Sequence, residues 1–146
     1  MKKNFFFTSN RPMGSLTLNN KCGVFGTLTE SALSICCGNE YKMGFKQEIK
    51  EGKATVLTTV SGCQAMEYEI EIESIDCSSK DNTKNMTIRI TDKRLLNETG
   101  GIVQGMSGSP IIQDNKLVGA VTHVFIEDSS RGYAIFAENM FDCLSS

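Results

Sequence analysis

The chain has 146 residues, a formal net charge of −2 and an apolar fraction of 40%, values that suit one globular domain over residues 1–146 with a sizeable core. This slightly acidic balance gives no electrostatic basis for binding nucleic acid or an anionic membrane surface. No apolar run approaches the roughly 20 residues of a membrane span, and the initial run, Phe5 to Phe7, is shorter than the roughly 7–15 residues of a signal peptide. We therefore expect no transmembrane segment and, as the sequence is written, a cytoplasmic location.

Strand-like patterns dominate the chain. We predict strands over residues 15–18, 22–29, 32–37, 53–60, 68–75, 86–92, 110–113, 117–126 and 132–137. A helical turn or loop is expected over 93–99, ended by Gly100 and Gly101, and a short helix over 138–144. Many short strands separated by turn signals predict an all-β barrel or sandwich.

The six cysteines are Cys22, Cys36, Cys37, Cys63, Cys77 and Cys143. They form no Cys-x-x-Cys pair, and the one histidine, His123, lies far along the sequence from any paired thiols, so the spacing does not indicate a zinc site. We interpret the cysteines as small apolar residues in a reducing compartment. We expect no metal and no cofactor.

The most informative motif is Gly-Met-Ser-Gly-Ser-Pro at residues 105–110. A serine between glycines, followed by a proline and an apolar strand, is typical of how trypsin-like β-barrel proteases present a nucleophile. The glycines allow a tight turn that aims two backbone N–H groups at one point. On this interpretation Ser107 is the nucleophile, and the N–H groups of Gly105 and Ser107 form the oxyanion hole.

With this motif in place, residues 51–140 resemble the peptidase domain of the stage IV sporulation protein B family, serine peptidases of endospore-forming bacteria. The resemblance is carried by residues 51–60, 90–96, 100–112 and 116–125. Residues 22–28 also resemble a family segment, one that lies downstream of the catalytic histidine. It implies a trypsin-like (chymotrypsin-type) β-barrel fold, with one barrel complete, the other partial and a short C-terminal helix. Family members have a membrane anchor, a PDZ domain and a peptidase domain. After export from the forespore they cleave a regulator of a membrane-embedded protease, and this cleavage signals for activation of a late mother-cell sigma factor.

Matched residue by residue, Ser107 corresponds to the family's nucleophile and Asp92 to its acid. Nothing in the chain matches the Gly-His segment that holds the family's base. The resemblance therefore implies the C-terminal two-thirds of a peptidase domain, truncated and without the PDZ domain. We expect a protein or peptide substrate as partner, with little or no hydrolysis; the alternative is a non-catalytic peptide-binding module or a relic of the peptidase.

His123 and Asp92 each allow more than one interpretation. In trypsin-like folds the strand after the nucleophile loop lines the substrate pocket, which places Thr122 and His123 there. His123 lies on what looks like a buried strand, so it is a pocket wall, a hydrogen-bonded core histidine or a substitute base. We predict that its ring is too far from Ser107 Oγ for a hydrogen bond. Asp92 ends an alternating strand, where an aspartate commonly caps the next turn, so it is either a cap or the acid that the family match implies.

Overall fold

Strands dominate the structure, a computed structural model that describes residues 12–35 and 39–144. In chain order the elements are β1 (Gly14–Asn20), β2 (Gly23–Leu28), α1 (Glu30–Ile35), β3 (Lys42–Met43), a 3₁₀ turn (Lys46–Glu48), β4 (Gly52–Thr58), β5 (Met66–Ile75), β6 (Met86–Ile90), α2 (Lys93–Thr99), β7 (Pro110–Gln113), β8 (Lys116–Val124), β9 (Arg131–Phe136) and α3 (Ala137–Leu144). The predicted helical turn at 93–99 is a helix, and the predicted closing helix is present. The sequence analysis missed the two-residue strand β3.

Six strands close into an antiparallel barrel in the order β8, β7, β4, β5, β6 and β9, with β9 pairing back onto β8. Because neighbouring strands run in opposite directions, the C-terminal ends of β4, β6 and β8 share one end of the barrel with the N-terminal ends of β5, β7 and β9. We call this the upper end. Residues 91–109, which connect β6 to β7, therefore lie there. The prediction of an all-β barrel is confirmed.

The barrel interior is built by residues that alternate along its strands. On β5, Tyr68, Ile70 and Ile72 are buried, whereas the glutamates between them are exposed. The interior also contains Val56, Ile88, Ile90, Ile111, Val118, Val121 and Phe136. The period of two that predicted β5 and β6 is thus the burial pattern of a sheet with one face on the core.

Strands β1 and β2 form a separate two-stranded hairpin outside the barrel. Phe25 is its buried aromatic residue, and a disulfide joins Cys22, in its turn, to Cys143 in α3. The interpretation of the cysteines as ordinary small apolar residues is therefore wrong for these two. Their sequence separation of 121 residues left no local signal of the pairing. Among the described residues, Cys63 and Cys77 are free and exposed.

The predicted strand at 32–37 is wrong, because residues 30–35 form helix α1. Thr29 starts this helix: its Oγ1 accepts the N–H of Ala32 at 3.3 Å, and its carbonyl oxygen accepts the N–H of Leu33 at 3.0 Å. A short apolar run does not distinguish a strand from a helix by period alone, and the capping threonine decides here. Cys36 and Cys37 lie outside the described residues. Within the described ranges, no helix has the length and apolar character needed to cross a bilayer.

Candidate active site

The Ser107 loop, residues 103–109, lies at the upper end of the barrel between α2 and β7. Met106 is buried in the core and anchors the loop, whereas Gly105, Ser107 and Gly108 are exposed. The φ angles of Gly105 and Gly108 are +102° and +90°, and a Cβ added at either would meet no atom within 4 Å. The backbone conformation, and not a lack of space, therefore favours glycine at these two positions.

The backbone N–H groups of residues 105–109 fall into two sets. Those of Met106, Gly108 and Ser109 donate to carbonyl oxygens within the protein, at 3.1, 2.7 and 2.9 Å. Those of Gly105 and Ser107 donate to no acceptor among the described residues. Free N–H groups in a glycine-rich turn can bind an anion or a polarised carbonyl oxygen.

The Ser107 hydroxyl group donates to the carbonyl oxygen of Thr122 on β8 at 3.0 Å. A carbonyl oxygen is not a base that can take the serine proton, so this contact positions the hydroxyl without activating it. Within the described residues, no hydrogen bond joins Ser107 Oγ to His123.

His123 is exposed on β8, so its interpretation as a core histidine is wrong. Its side chain lines a cleft of about 710 Å³, together with Lys21, Cys22, Lys80, Asp81, Asn82, Thr83 and Lys84. The cleft lies beside the Ser107 loop, because Thr122 Oγ1 donates to the carbonyl oxygen of Thr83 at 2.7 Å while its own carbonyl accepts from Ser107. The loop at 77–85 was not predicted to belong to the site, because it is distant in sequence from Thr122.

Asp92 is buried and forms the N-cap of α2. Its carboxylate accepts hydrogen bonds from the Arg94 Nε and Nη2 groups at 3.1 and 2.7 Å, and from the backbone N–H groups of Arg94 and Glu69 at 2.9 and 3.1 Å. The side-chain hydrogen bonds from Arg94 hold the pKa of Asp92 well below its usual range, and the two backbone N–H groups add to this against the effect of burial.

No histidine contacts Asp92 in the part of the chain that the structure describes, and its role as the acid of a catalytic triad stays a prediction. The sequence analysis allowed the capping role but missed Arg94 as the partner. An arginine two residues after a capping aspartate is the feature of the sequence from which this pairing could have been predicted. The structure thus brings Ser107 next to Thr122, and it pairs Asp92 with Arg94 and Glu69.

Comparison with known families decides the assignment. The family model described as SpoIVB peptidase S55 matches residues 1–141 of the chain. The chain belongs to this family. The match extends the region of resemblance from residues 51–140 to residues 1–141. A comparison with curated proteins finds no match.

Two similar solved structures are crystal structures of the Rv3671c protease from M. tuberculosis. The active form has a TM-score of 0.65 and 17% sequence identity, and the match covers 95% of this chain and 60% of that one. The inactive form has a TM-score of 0.63 and 16% identity, with 90% and 65% coverage. The chain thus spans less than two-thirds of these proteases. At this identity the similarity is one of fold, and it confirms the predicted trypsin-like barrel.

Proposed function

We propose that this chain binds a polypeptide at the Ser107 loop, with the peptide's carbonyl oxygen held by the N–H groups of Gly105 and Ser107. The observation that carries the proposal is this pair of N–H groups, which have no acceptor among the described residues and flank a buried anchor, Met106. Membership of a peptidase family supports a protein or peptide as the ligand.

The same proposal assigns the chain little or no hydrolytic activity. The Ser107 hydroxyl donates a hydrogen bond to a carbonyl oxygen. The sequence contains one histidine, His123, to which Ser107 makes no hydrogen bond. Loss of the histidine from a serine-peptidase triad lowers the rate by about 10⁴- to 10⁶-fold. We therefore expect the chain to bind a peptide but to hydrolyse it little or not at all.

Hydrolysis is tested by incubating the purified chain and its Ser107→Ala variant with unfolded casein and, separately, with a fluorophosphonate that labels activated serines. We expect both proteins to give the same background cleavage and no rapid labelling of Ser107. Cleavage or labelling that disappears in Ser107→Ala would overturn the assignment of low activity and make the chain a working endopeptidase.

Binding is tested by thermal unfolding with millimolar peptide copied from the regulator that the family cleaves. The stabilisation should follow RT ln(1 + [L]/Kd). Gly105→Ala should weaken binding by about tenfold or more, because an alanine disfavours φ near +102° and the N–H group turns away. Gly52→Ala is the matched control: its φ is +120°, its added Cβ also meets nothing within 4 Å, and it begins β4 at the opposite end of the barrel.

Equal peptide affinity in Gly105→Ala and Gly52→Ala would place the binding site elsewhere. If no peptide shifts the unfolding temperature, the chain is better described as a relic of the peptidase fold. Both outcomes are separable from a general loss of stability, because the two glycine variants carry a similar backbone strain.

We further propose that the chain is a single domain corresponding to the C-terminal two-thirds of the family's peptidase domain, and that it acts in the family's setting of sporulation signalling.

The Cys22–Cys143 disulfide supports an exported protein over a cytoplasmic one, because disulfides persist in oxidising compartments. Alkylation and mass analysis of the protein taken directly from cells tests the location. Deleting its gene in a spore-forming host should impair activation of the late mother-cell sigma factor if the signalling role is correct.

A further inference from the structure

We infer that the cleft beside the Ser107 loop selects peptides that carry an acidic side chain near the bound carbonyl. This inference rests on the proposed function, because it specifies which peptide the Ser107 loop receives. The charges that line the cleft are the reason: Lys21, Lys80 and Lys84 face a single carboxylate, that of Asp81. The chain as a whole has a net charge of −2, whereas the cleft is positively charged.

The one carboxylate of the cleft is already committed within its own loop. Asp81 accepts hydrogen bonds from the N–H and Oγ1 groups of Thr83 at 3.0 and 2.6 Å and pairs with Lys84 at 3.7 Å. Lys84 is also placed over the ring of Tyr133 at 5.3 Å. By contrast, Lys21 and Lys80 make no ion pair with any carboxylate among the described residues. Two ammonium groups are thus available to a carboxylate that enters the cleft.

The cleft is close enough to act on a peptide held at the Ser107 loop. Thr122 connects them, since its carbonyl accepts from Ser107 and its hydroxyl group donates to Thr83 in the cleft wall. An extended peptide advances about 3.3–3.6 Å per residue. A side chain one to three residues from the bound carbonyl therefore reaches the cleft.

The wall that contains Lys21 is fixed in place. Cys22, the next residue, is joined by its disulfide to α3, which packs against β8 and β9 of the barrel. The backbone of Lys21 is therefore held opposite the loop at 80–84 instead of moving freely with the hairpin. A fixed backbone spacing between the lysines favours a specific carboxylate pocket, because pre-ordered segments lose less entropy on binding.

The test is a calorimetric titration of the whole chain with a neutral eight-residue peptide series in which one glutamate is moved through every position. The matched peptide at each position carries glutamine. We expect glutamate at one or two adjacent positions to bind about 5- to 10-fold tighter than glutamine at 50 mM salt, as two exposed ion pairs allow. The preference should fall below about twofold at 0.5 M salt, because exposed charges are screened.

Lys80→Glu should abolish the preference for glutamate. Lys50→Glu is the matched control, since Lys50 is exposed, lies beside Gln113 at the far end of β7 and does not line the cleft; it should keep the preference. Equal binding of glutamate and glutamine peptides at every position, or equal loss in both variants, would overturn the inference.

The Gly105→Ala variant separates this inference from the proposed function. If it weakens glutamate and glutamine peptides equally while neither is preferred by the unaltered chain, peptide binding at the loop stands and the acidic preference fails. If a Lys80-dependent preference survives Gly105→Ala with undiminished affinity, the cleft binds acids without the loop and the proposed function fails. Absence of binding by every peptide contradicts both.

Discussion

The Asp92 corner and the Ser107 loop lie at the same end of the barrel and use their polar groups in opposite ways. At the corner, both carboxylate oxygens of Asp92 accept two hydrogen bonds each, from Arg94 and Glu69. In the loop, the N–H groups of Gly105 and Ser107 donate to nothing among the described residues, and the serine hydroxyl is exposed. Because the hydrogen bonds of a buried carboxylate contribute stability, whereas exposed N–H groups can bond water instead, the difference separates residues that hold the fold from residues left for a ligand. Changes at the corner should alter stability, and changes in the loop should alter binding.

The largest effect is expected for Asp92→Ala, which should lower the free energy of unfolding by about 2 kcal/mol through loss of the helix cap and of charge-assisted hydrogen bonds. Urea unfolding followed by far-UV circular dichroism measures this loss. Asp92→Asn keeps a capping oxygen and should lose about half as much. Peptide affinity should not change in either variant. A variant that binds peptide less well but is as stable as the unaltered chain would show that Asp92 contributes to the binding site.

Acid should weaken the corner selectively. In the folded chain the pKa of Asp92 is lowered by Arg94, whereas in the unfolded chain it is about 4. Its stabilisation is therefore complete above that pH and is lost as the pH falls toward the folded pKa. The stability advantage over Asp92→Asn should shrink on acidification by up to about 1.4 kcal/mol per pH unit, the value for one proton. Urea titrations from pH 6 to 3 measure it; a constant difference would show that the charge of Asp92 does not contribute.

Thr122 forms hydrogen bonds with both the Ser107 loop and the loop at 77–85. Its replacement therefore tests whether a residue beside the site also stabilises the fold. Thr122→Val removes the hydrogen bond to Thr83 and should cost about 1 kcal/mol. Amide hydrogen exchange should accelerate within residues 77–85. Thr55→Val on β4 is the control, since no side-chain hydrogen bond of Thr55 is found within the described ranges. If both variants behave alike, the Thr122–Thr83 contact does not order the cleft wall.

The smallest effect is expected for Ser107→Ala, which should change the free energy of unfolding by less than about 0.5 kcal/mol, because the lost hydrogen bond is exposed and water can replace the hydroxyl at the Thr122 carbonyl. Peptide affinity should remain within about twofold, since the backbone N–H groups persist. Thermal unfolding with and without peptide measures both quantities. A large loss of stability would mean that the Ser107–Thr122 contact belongs to the framework.

Local chemistry predicted much of this molecule. The alternation of β5 and β6, the Gly100 break after α2 and the glycine turn around Ser107 each follow from a few neighbouring residues. The exposure of His123 did not, because a register shift between Val121 and His123 in the pairing of β8 with β9 changes which face the next side chain occupies. The contacts of Thr122 with residue 83 and of Cys22 with Cys143 join distant segments, and no local pattern encodes them.

The Cys22–Cys143 bond also turns most of the described chain into a covalent ring. A single backbone cut anywhere between these residues, for example in the exposed turn at 77–82, leaves two fragments that remain one molecule. Their strands stay at high effective concentration, so the barrel can re-form without a bimolecular encounter. Nicked and intact protein would therefore migrate together on a denaturing gel until a reductant is added.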